Sequence, residues 1–248
     1  MRRSLWSKEE RMILKNSKVV IVGGSSGIGE ASARLFLEAG ANVIIAGRSR
    51  EKMDAAVKRL GKAQGIIADG TSPESVKKLF EATGQFDHLV LALSGGKGAG
   101  PISKIPLDDI RSGFEAKFFA QLTALQAALP FLKNSVVFIS AASAAAAIPG
   151  TSGLAAINGA IESVVRPLSV ELAPIRVNAV RPGVIDTPWW NGVPPEFKTA
   201  VFAQTSQALP VKRVGKPEDV AKAVVMAADN SFVTGTVIDV SGGATLAR

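Results

Sequence analysis

The chain has 248 residues, of which 47% are hydrophobic and 20% charged, and its formal net charge is +8. This length fits one α/β domain or two small ones, with enough core to fold without staples. The chain has no cysteine, which excludes disulfides, thiolate nucleophiles and Cys-based metal sites. Its only histidine is His88, which leaves no cluster of histidines for a metal and no Ser-His triad.

The sequence is not expected to contain a signal peptide or a membrane span. Its start turns charged at positions 8–11 and so lacks the apolar core of a signal peptide. The apolar stretch 141–161 is rich in Ala and Gly and is broken by Pro149, which is atypical of a membrane span. We therefore expect no membrane partner and a cytoplasmic location.

Basic residues concentrate in two segments. Residues 1–18 hold six basic and two acidic side chains, and residues 48–62 hold the same numbers. Neither segment interleaves aromatic residues with its basic ones, so we expect a solvated arm and a solvated helix face, and no nucleic-acid partner. No linker or repeat interrupts the rest, which predicts a basic arm over 1–16 and one nucleotide-binding domain over 17–248.

Apolar, β-branched runs alternate with helical patterns along the domain. The predicted strands are 18–22, 42–46, 65–68, 88–93, 135–140, 175–180 and 236–240, and the predicted helices lie near 27–39, 49–61, 72–83, 106–132, 152–173 and 216–229. This alternation predicts a doubly wound, seven-stranded parallel sheet with helices on both faces. Long loops at 94–104 and 184–209 are typical of functional segments, and Pro167 predicts a kink in its helix.

A glycine turn, Val22-Gly23-Gly24-Ser25-Ser26-Gly27-Ile28-Gly29, joins the first strand to the first helix. Gly23 permits the tight turn, Gly27 lets backbone approach a pyrophosphate, and Gly29 lets the helix pack on the strand. Ser25, Ser26 and Ile28 complete a site where an anion meets free amides at the helix N-terminus. The alternative is an ordinary strand-to-helix turn.

With these residues the chain resembles the short-chain dehydrogenase/reductase family from about Lys18 to Gly243. The turn is similar to the family's Thr-Gly-x-x-x-Gly-Ile-Gly, with Val22 replacing the threonine. Residues 177–183 and the ending 234–243 match as well. The resemblance implies a Rossmann fold, a nicotinamide cofactor, a small-molecule substrate and a homodimer or homotetramer. It places Asp69 and Gly70 at the adenine, and it places these residues around the nicotinamide amide: Pro182, Gly183, Ile185 and Thr187.

The second strand ends in Gly47-Arg48-Ser49. A carboxylate at position 47 would hold a free ribose 2′-hydroxyl, whereas Arg48 offers a charge-assisted fork to a 2′-phosphate. We therefore expect NADP(H) rather than NAD(H), with Ser49 beside the phosphate. The alternative is that Arg48 and Arg50 are solvated residues at the start of a helix.

The chain has no tyrosine, although the family it resembles uses a tyrosine as its proton donor. By resemblance, the family's Asn, Ser, Tyr and Lys positions are filled by Lys117, Ala141, Leu154 and Asn158. Loss of a positioned general acid costs about 10²–10⁴ in rate.

Other residues in the same region are candidates to compensate. Lys117 is an ionisable group that burial would convert into an acid or base, and Ser140 and Ser143 flank Ala141. Asn158 would hydrogen-bond ribose hydroxyls without carrying charge. The predicted substrate pocket comprises Ser94, Leu154, Trp189 and Trp190. A surface lysine, serines bonded to backbone and tryptophans in the core remain the plain alternatives.

The retained coenzyme-binding residues and the replaced catalytic residues leave three functions open. The first is an NADP(H)-dependent oxidoreductase with an unusual proton source, for which an imine or iminium substrate would need little acid. The second is a non-catalytic nucleotide-binding protein. The third is a non-redox enzyme, such as a lyase, isomerase or cyclase, on the same scaffold.

Overall fold

In the computed structural model, which describes residues 14–246, seven parallel strands form one sheet in the order β3-β2-β1-β4-β5-β6-β7. The strands are β1 Lys18–Val22, β2 Asn42–Gly47, β3 Gln64–Ile67, β4 Phe86–Leu91, β5 Leu132–Ile139, β6 Arg176–Pro182 and β7 Val237–Val240. The strand order reverses between β1 and β4, as in a doubly wound sheet. This confirms the predicted fold.

Helices cover both faces of the sheet. They are α1 Gly27–Glu38, α2 Arg50–Leu60, α3 Pro73–Thr83, α4 Leu107–Gly113, α5 Ala120–Ala128, α6 Ser152–Glu171, α7 Pro195–Ala208 and α8 Pro217–Asp229. The helix assignment of α6 runs unbroken across Pro167. Among the described helices, none combines the length and apolar character needed to cross a membrane.

Two sequence predictions need correction. The helix expected over 106–132 is divided into α4, a π-helical segment at Phe114–Phe119, and α5, and it ends before β5 begins at Leu132. The loop expected over 184–209 contains a 3₁₀ turn at Pro188–Gly192 and the helix α7. Because α7 has no buried residue, its sequence carries no apolar stripe that would have predicted it.

Alternate residues of the central strands point to opposite faces, which produces two cores. Val20 and Leu89 belong to the core under α3, α5 and α6, and Val19 and Val90 to the core under α1, α2 and α8. Of the predicted arm, residues 1–13 lie outside the described residues, whereas residues 14–16 are described and Leu14 is buried in the second core.

His88 lies inside β4, away from the carboxyl ends of the strands. Its side chain is 2% exposed, and Nδ1 lies 2.8 Å from the hydroxyl of the buried Ser135 on β5. Burial lowers the pKa of His88 to about 4, because the charged imidazole loses its water. His88 is therefore a neutral side chain that joins β4 to β5 by a hydrogen bond.

This burial predicts an acid sensitivity. The unfolded chain, with an ordinary histidine pKa near 6.5, binds the proton more tightly than the folded chain, so stability falls as the pH drops from about 6.5 to 4. The shift corresponds to about 3 kcal/mol. Urea unfolding at pH 7 and pH 4 should show that His88→Asn loses about that much less stability than the wild type on acidification. Equal losses in the two proteins would contradict this assignment.

Candidate active site

The predicted site residues gather at the carboxyl edge of the sheet. They follow the ends of strands β1 to β6 or lie on the helices and turns that begin there. The reversal of strand order between β1 and β4 opens a crevice at this edge, which is where doubly wound sheets bind ligands. The parallel strands thus bring together residues that are far apart in sequence.

In the glycine turn after β1, Gly23 and Gly29 stand where a side chain would not fit. A Cβ on Gly23 would lie 2.5 Å from the carbonyl oxygen of Ala92, and one on Gly29 would lie 2.1 Å from the carbonyl oxygen of Gly23. Gly27 has a φ of +56° and faces Thr187, whose Cβ is 3.4 Å from where a Cβ would be. Ser26, the N-cap of α1, makes no side-chain cap hydrogen bond. The cradle therefore presents backbone amides to an anion, as a dinucleotide pyrophosphate requires.

Beside this cradle, the end of β2 offers a positive charge. Arg48 is exposed and forms no ion pair with any residue in the described range, while Ser49 caps α2 by accepting from the Lys52 amide at 3.3 Å. A Cβ on Gly47 would lie 3.1 Å from Oγ of Ser25, so a larger side chain there would crowd the turn. Residues 47–49, at the end of β2, therefore offer a cation and carry no carboxylate of their own.

Asp69 and Gly70 follow β3 on the same side. Hydrogen bonds from Thr71, reinforced by the charge of Arg48, hold the pKa of Asp69 below its usual value, with Oδ1 accepting from the Thr71 amide at 2.9 Å. Gly70 packs against Leu93, whose Cδ1 would lie 2.7 Å from a Cβ. This carboxylate is charged and fixed at the edge of the nucleotide cleft.

The opposite wall is the segment after β6. A Cβ on Gly183 would lie 2.8 Å from the carbonyl oxygen of Ser241, so Pro182 and Gly183 run close to the end of β7. Ile185 forms an isolated bridge with Gly215, and its carbonyl accepts from the indole N–H of Trp190 at 2.9 Å. Thr187 then lies over the glycine turn. Together with the cradle and Arg48, this wall fits a nicotinamide dinucleotide.

Lys117 lies on the π-helical segment and reaches the centre of the site. Nζ donates to the carbonyl oxygen of Ser140 at 3.1 Å and to Oδ1 of Asn158 at 2.7 Å. Burial lowers the pKa of Lys117 to about 8, and the negative charge of Glu162 partly opposes that change. The third N–H has no acceptor among residues 14–246. The π-helix is rare in proteins, and the few that occur lie frequently at functional sites.

Asn158 connects the remaining polar groups. Its Nδ2 donates to Oγ of Ser143 at 3.2 Å and to the carbonyl of Leu154 at 2.8 Å. The Ser143 hydroxyl accepts this bond, and its own hydrogen has no acceptor within the described part of the chain. The structure thus brings Lys117, Asn158 and Ser143 into one hydrogen-bonded group.

Ser140 is committed elsewhere. Its hydroxyl donates to Oε1 of Glu162 at 2.7 Å. The hydroxyl hydrogen that we predicted for a substrate carbonyl is therefore already bonded to a carboxylate. What Ser140 gives the site is its main-chain carbonyl, which accepts from Lys117. Of the two predicted serines, Ser143 is the one whose hydroxyl hydrogen is free.

Sequence reasoning missed two polar residues beside the site, the buried Gln121 and the partly buried Glu162. Glu162 follows Asn158 by four residues on α6, and Gln121 follows Lys117 by four, a spacing that places each pair on one helix face. The Gln121 amide donates to the carbonyls of Leu93 and Ile139 at 3.3 and 3.2 Å, which joins the chain beyond β4 to the end of β5. The four-residue spacing was the available signal.

The residues predicted to form the substrate pocket lie on three separate segments, and their role in binding stays a prediction. Leu154 is half-buried, and its Cδ2 would lie 3.5 Å from a Cβ on Gly98. Ser94 makes only a long 3.5 Å bond, to the carbonyl of Gly95. Trp189 and Trp190 pack edge to face with ring centroids 5.0 Å apart, and Trp190 packs likewise on Phe202 at 5.2 Å. Across the ranges that the structure describes, no cluster of acidic or histidine side chains is arranged to hold a metal ion.

The fold and the glycine cradle define a Rossmann-type dinucleotide-binding protein. Residues 22–245 match the sequence family described as enoyl-(acyl carrier protein) reductase. A short-chain dehydrogenase/reductase of Stachybotrys chlorohalonatus is 31% identical over 251 residues, covering 94% of this chain and 98% of that protein. The chain therefore belongs to the short-chain dehydrogenase/reductase family of oxidoreductases.

Two solved structures are similar over nearly the whole chain. The MalC reductase/Diels-Alderase of Malbranchea aurantiaca is 25% identical with a TM-score of 0.87, and 97% of this chain and all of that one are covered. An NADPH-bound short-chain oxidoreductase of Pseudomonas aeruginosa PAO1, described as containing an atypical catalytic center, is 28% identical with a TM-score of 0.83, and 92% of this chain and 96% of that one are covered.

Proposed function

We propose that the protein is an NADP(H)-dependent oxidoreductase of small carbonyl or imine compounds, in which Lys117, Asn158 and Ser143 replace the family's usual catalytic set. The observation that carries the proposal is the contact of 2.7 Å between the Lys117 ammonium and Asn158, at the carboxyl edge of the sheet. By resemblance to the family, the lysine and asparagine have exchanged helices, so a cation and an amide still meet at this place.

The preference for NADP(H) is supported by the end of β2. Arg48 is available to a 2′-phosphate, and Gly47 leaves no carboxylate to repel it. The Pseudomonas relative with an atypical centre binds NADPH, so an altered catalytic set and this coenzyme occur together on the same scaffold. When bound, the reduced nicotinamide supplies the hydride for the reduction.

Residues of the chain then supply the proton and polarise the substrate carbonyl. Lys117 holds a proton at Nζ for the oxygen that becomes a hydroxyl, and the Ser143 hydroxyl donates a hydrogen bond to the same oxygen. Asn158 fixes both groups through its amide. The apolar side chain of Leu154, four residues before Asn158 on α6, favours a substrate with an apolar body. An iminium substrate already carries the positive charge and would need less from Lys117.

The function is tested by following NADPH absorbance with panels of carbonyl and imine compounds and by identifying the products. We expect substrate-dependent oxidation of NADPH, one equivalent for each reduced product. Tight NADPH binding without turnover on any compound would contradict an oxidoreductase and favour the non-catalytic alternative.

A second candidate is a non-redox enzyme on the same scaffold. It is favoured by the apolar Leu154 in the site and by the similarity to a protein described as both a reductase and a Diels-Alderase. Product formation in the presence of NADP, with no change in nicotinamide absorbance, would distinguish this function from the first.

A further inference from the structure

A partly buried ion pair, Glu162 with Arg181, lies beside the Lys117 group. Oε1 of Glu162 on α6 accepts from Nε of Arg181 on β6 at 2.8 Å, and the two side chains are 11% and 18% exposed. The same oxygen accepts the Ser140 hydroxyl at 2.7 Å. Withdrawing a charge pair from water costs desolvation even where burial is partial, so a contribution to stability does not by itself account for this pair.

Ser140 connects this pair to Lys117 through two different atoms. Its hydroxyl is bonded to Glu162, while its carbonyl oxygen lies 3.1 Å from Nζ of Lys117. Glu162 also lies one helical turn beyond Asn158, the other partner of Lys117. Of the two partners of the Lys117 ammonium, Ser140 is therefore hydrogen-bonded to Glu162, and Asn158 lies on the same helix face as Glu162.

We propose that Glu162 is a positioning residue for Lys117: its carboxylate, held by Arg181, fixes Ser140 and supplies the negative charge that keeps the buried ammonium protonated. The catalytic meaning of this assignment rests on the proposed function. The electrostatic assignment itself does not require turnover.

The surrounding charges are consistent with this role. Arg181 faces Glu162 from β6 and also lies 3.5 Å from Asp239 on β7, whose carboxylate accepts from Thr245. Glu115, on the same segment as Lys117, is exposed to solvent, where its field is screened. The negative charge of Glu162 raises the pKa of Lys117, opposing the effect of burial.

The experiment measures the protonation of Lys117 without any substrate. Competitive acetylation across a pH series, resolved by peptide mass spectrometry, gives the midpoint at which Lys117 becomes reactive. We expect a midpoint near pH 8 in the wild type, and a midpoint at least about half a unit lower in Glu162→Gln, a roughly threefold loss of proton affinity. Glu162→Asp, which keeps the charge, should recover most of the shift.

The matched control is Glu171→Gln, the same change at an exposed position on the same helix, which should leave the midpoint in place. If Glu162→Gln does not fold, the double variant Glu162→Gln/Arg181→Met removes both charges of the pair. It should still lower the midpoint, because Glu162 is the charged group that raises the pKa of Lys117. A midpoint unchanged in the folded variant would overturn the proposal. A lowered midpoint in a protein that never oxidises NADPH would keep this assignment and refute only the proposed function.

Discussion

Lys117→Met is expected to lower NADPH-dependent reduction of a carbonyl substrate by about 10²–10⁴-fold, the contribution of a positioned general acid. The methionine fills similar space but carries no proton, and the bonds to Ser140 and Asn158 are lost. NADPH affinity, measured by calorimetric titration, should change by less than about threefold, because the glycine cradle and Arg48 hold the nucleotide.

The control is Lys133→Met, the same change at an exposed residue near the start of β5, and it should turn over like the wild type. Unfolding is not expected to explain the loss. Burial lowers the pKa of Lys117 from 10.5 to about 8, so the wild type gains stability as the pH rises through that range. Lys117→Met should lack this gain and be at least as stable at pH 7. Full activity in Lys117→Met would remove the lysine from the chemistry.

Arg48→Ser is expected to weaken NADPH binding by about 10–100-fold, since a hydrogen bond to a charged group contributes about 1.5–3 kcal/mol. Binding of NADH should change by less than about threefold, because NADH has no 2′-phosphate for the guanidinium to contact. Calorimetric titration with both coenzymes measures the two effects on one protein.

Arg50→Ser provides the comparison for a general electrostatic effect. Arg50 follows Arg48 by two residues and is the first residue of α2. It lines a groove with Met53 and Asp54. Its loss should cost NADPH affinity less than about threefold. Equal losses for the two coenzymes in Arg48→Ser, or equal losses in the two variants, would show that Arg48 does not select the phosphorylated coenzyme.

The sheet could be predicted because its signal is local. Each buried strand is a short run of apolar, β-branched residues, and Val19–Val22 are fully buried as such a run requires. The helix α7 escaped prediction because it has no buried residue and thus no amphipathic period. The π-helical segment also escaped prediction, because Phe114 and Phe118 have the four-residue spacing that is equally typical of an α-helix.

The site was predicted only in part, for a related reason. Lys117 and Asn158 could be named from the resemblance to a family. In the structure, Nζ of Lys117 lies 2.7 Å from Oδ1 of Asn158. The orientation of a hydroxyl is not encoded in a motif, so Ser140 and Ser143 looked equivalent. The pair of Glu162 and Arg181 joins a helix to a strand, and such a contact between two charged residues is set by tertiary packing alone.

The most direct test of the central claim is the pH dependence of the reduction step, followed in single turnovers of a carbonyl substrate with saturating NADPH. With Lys117 as the proton donor, the rate should be level below about pH 8 and fall about tenfold per unit above it. The residual rate of Lys117→Met should show no such break. A wild-type rate without a break near pH 8, or a break that persists in Lys117→Met, would contradict the account.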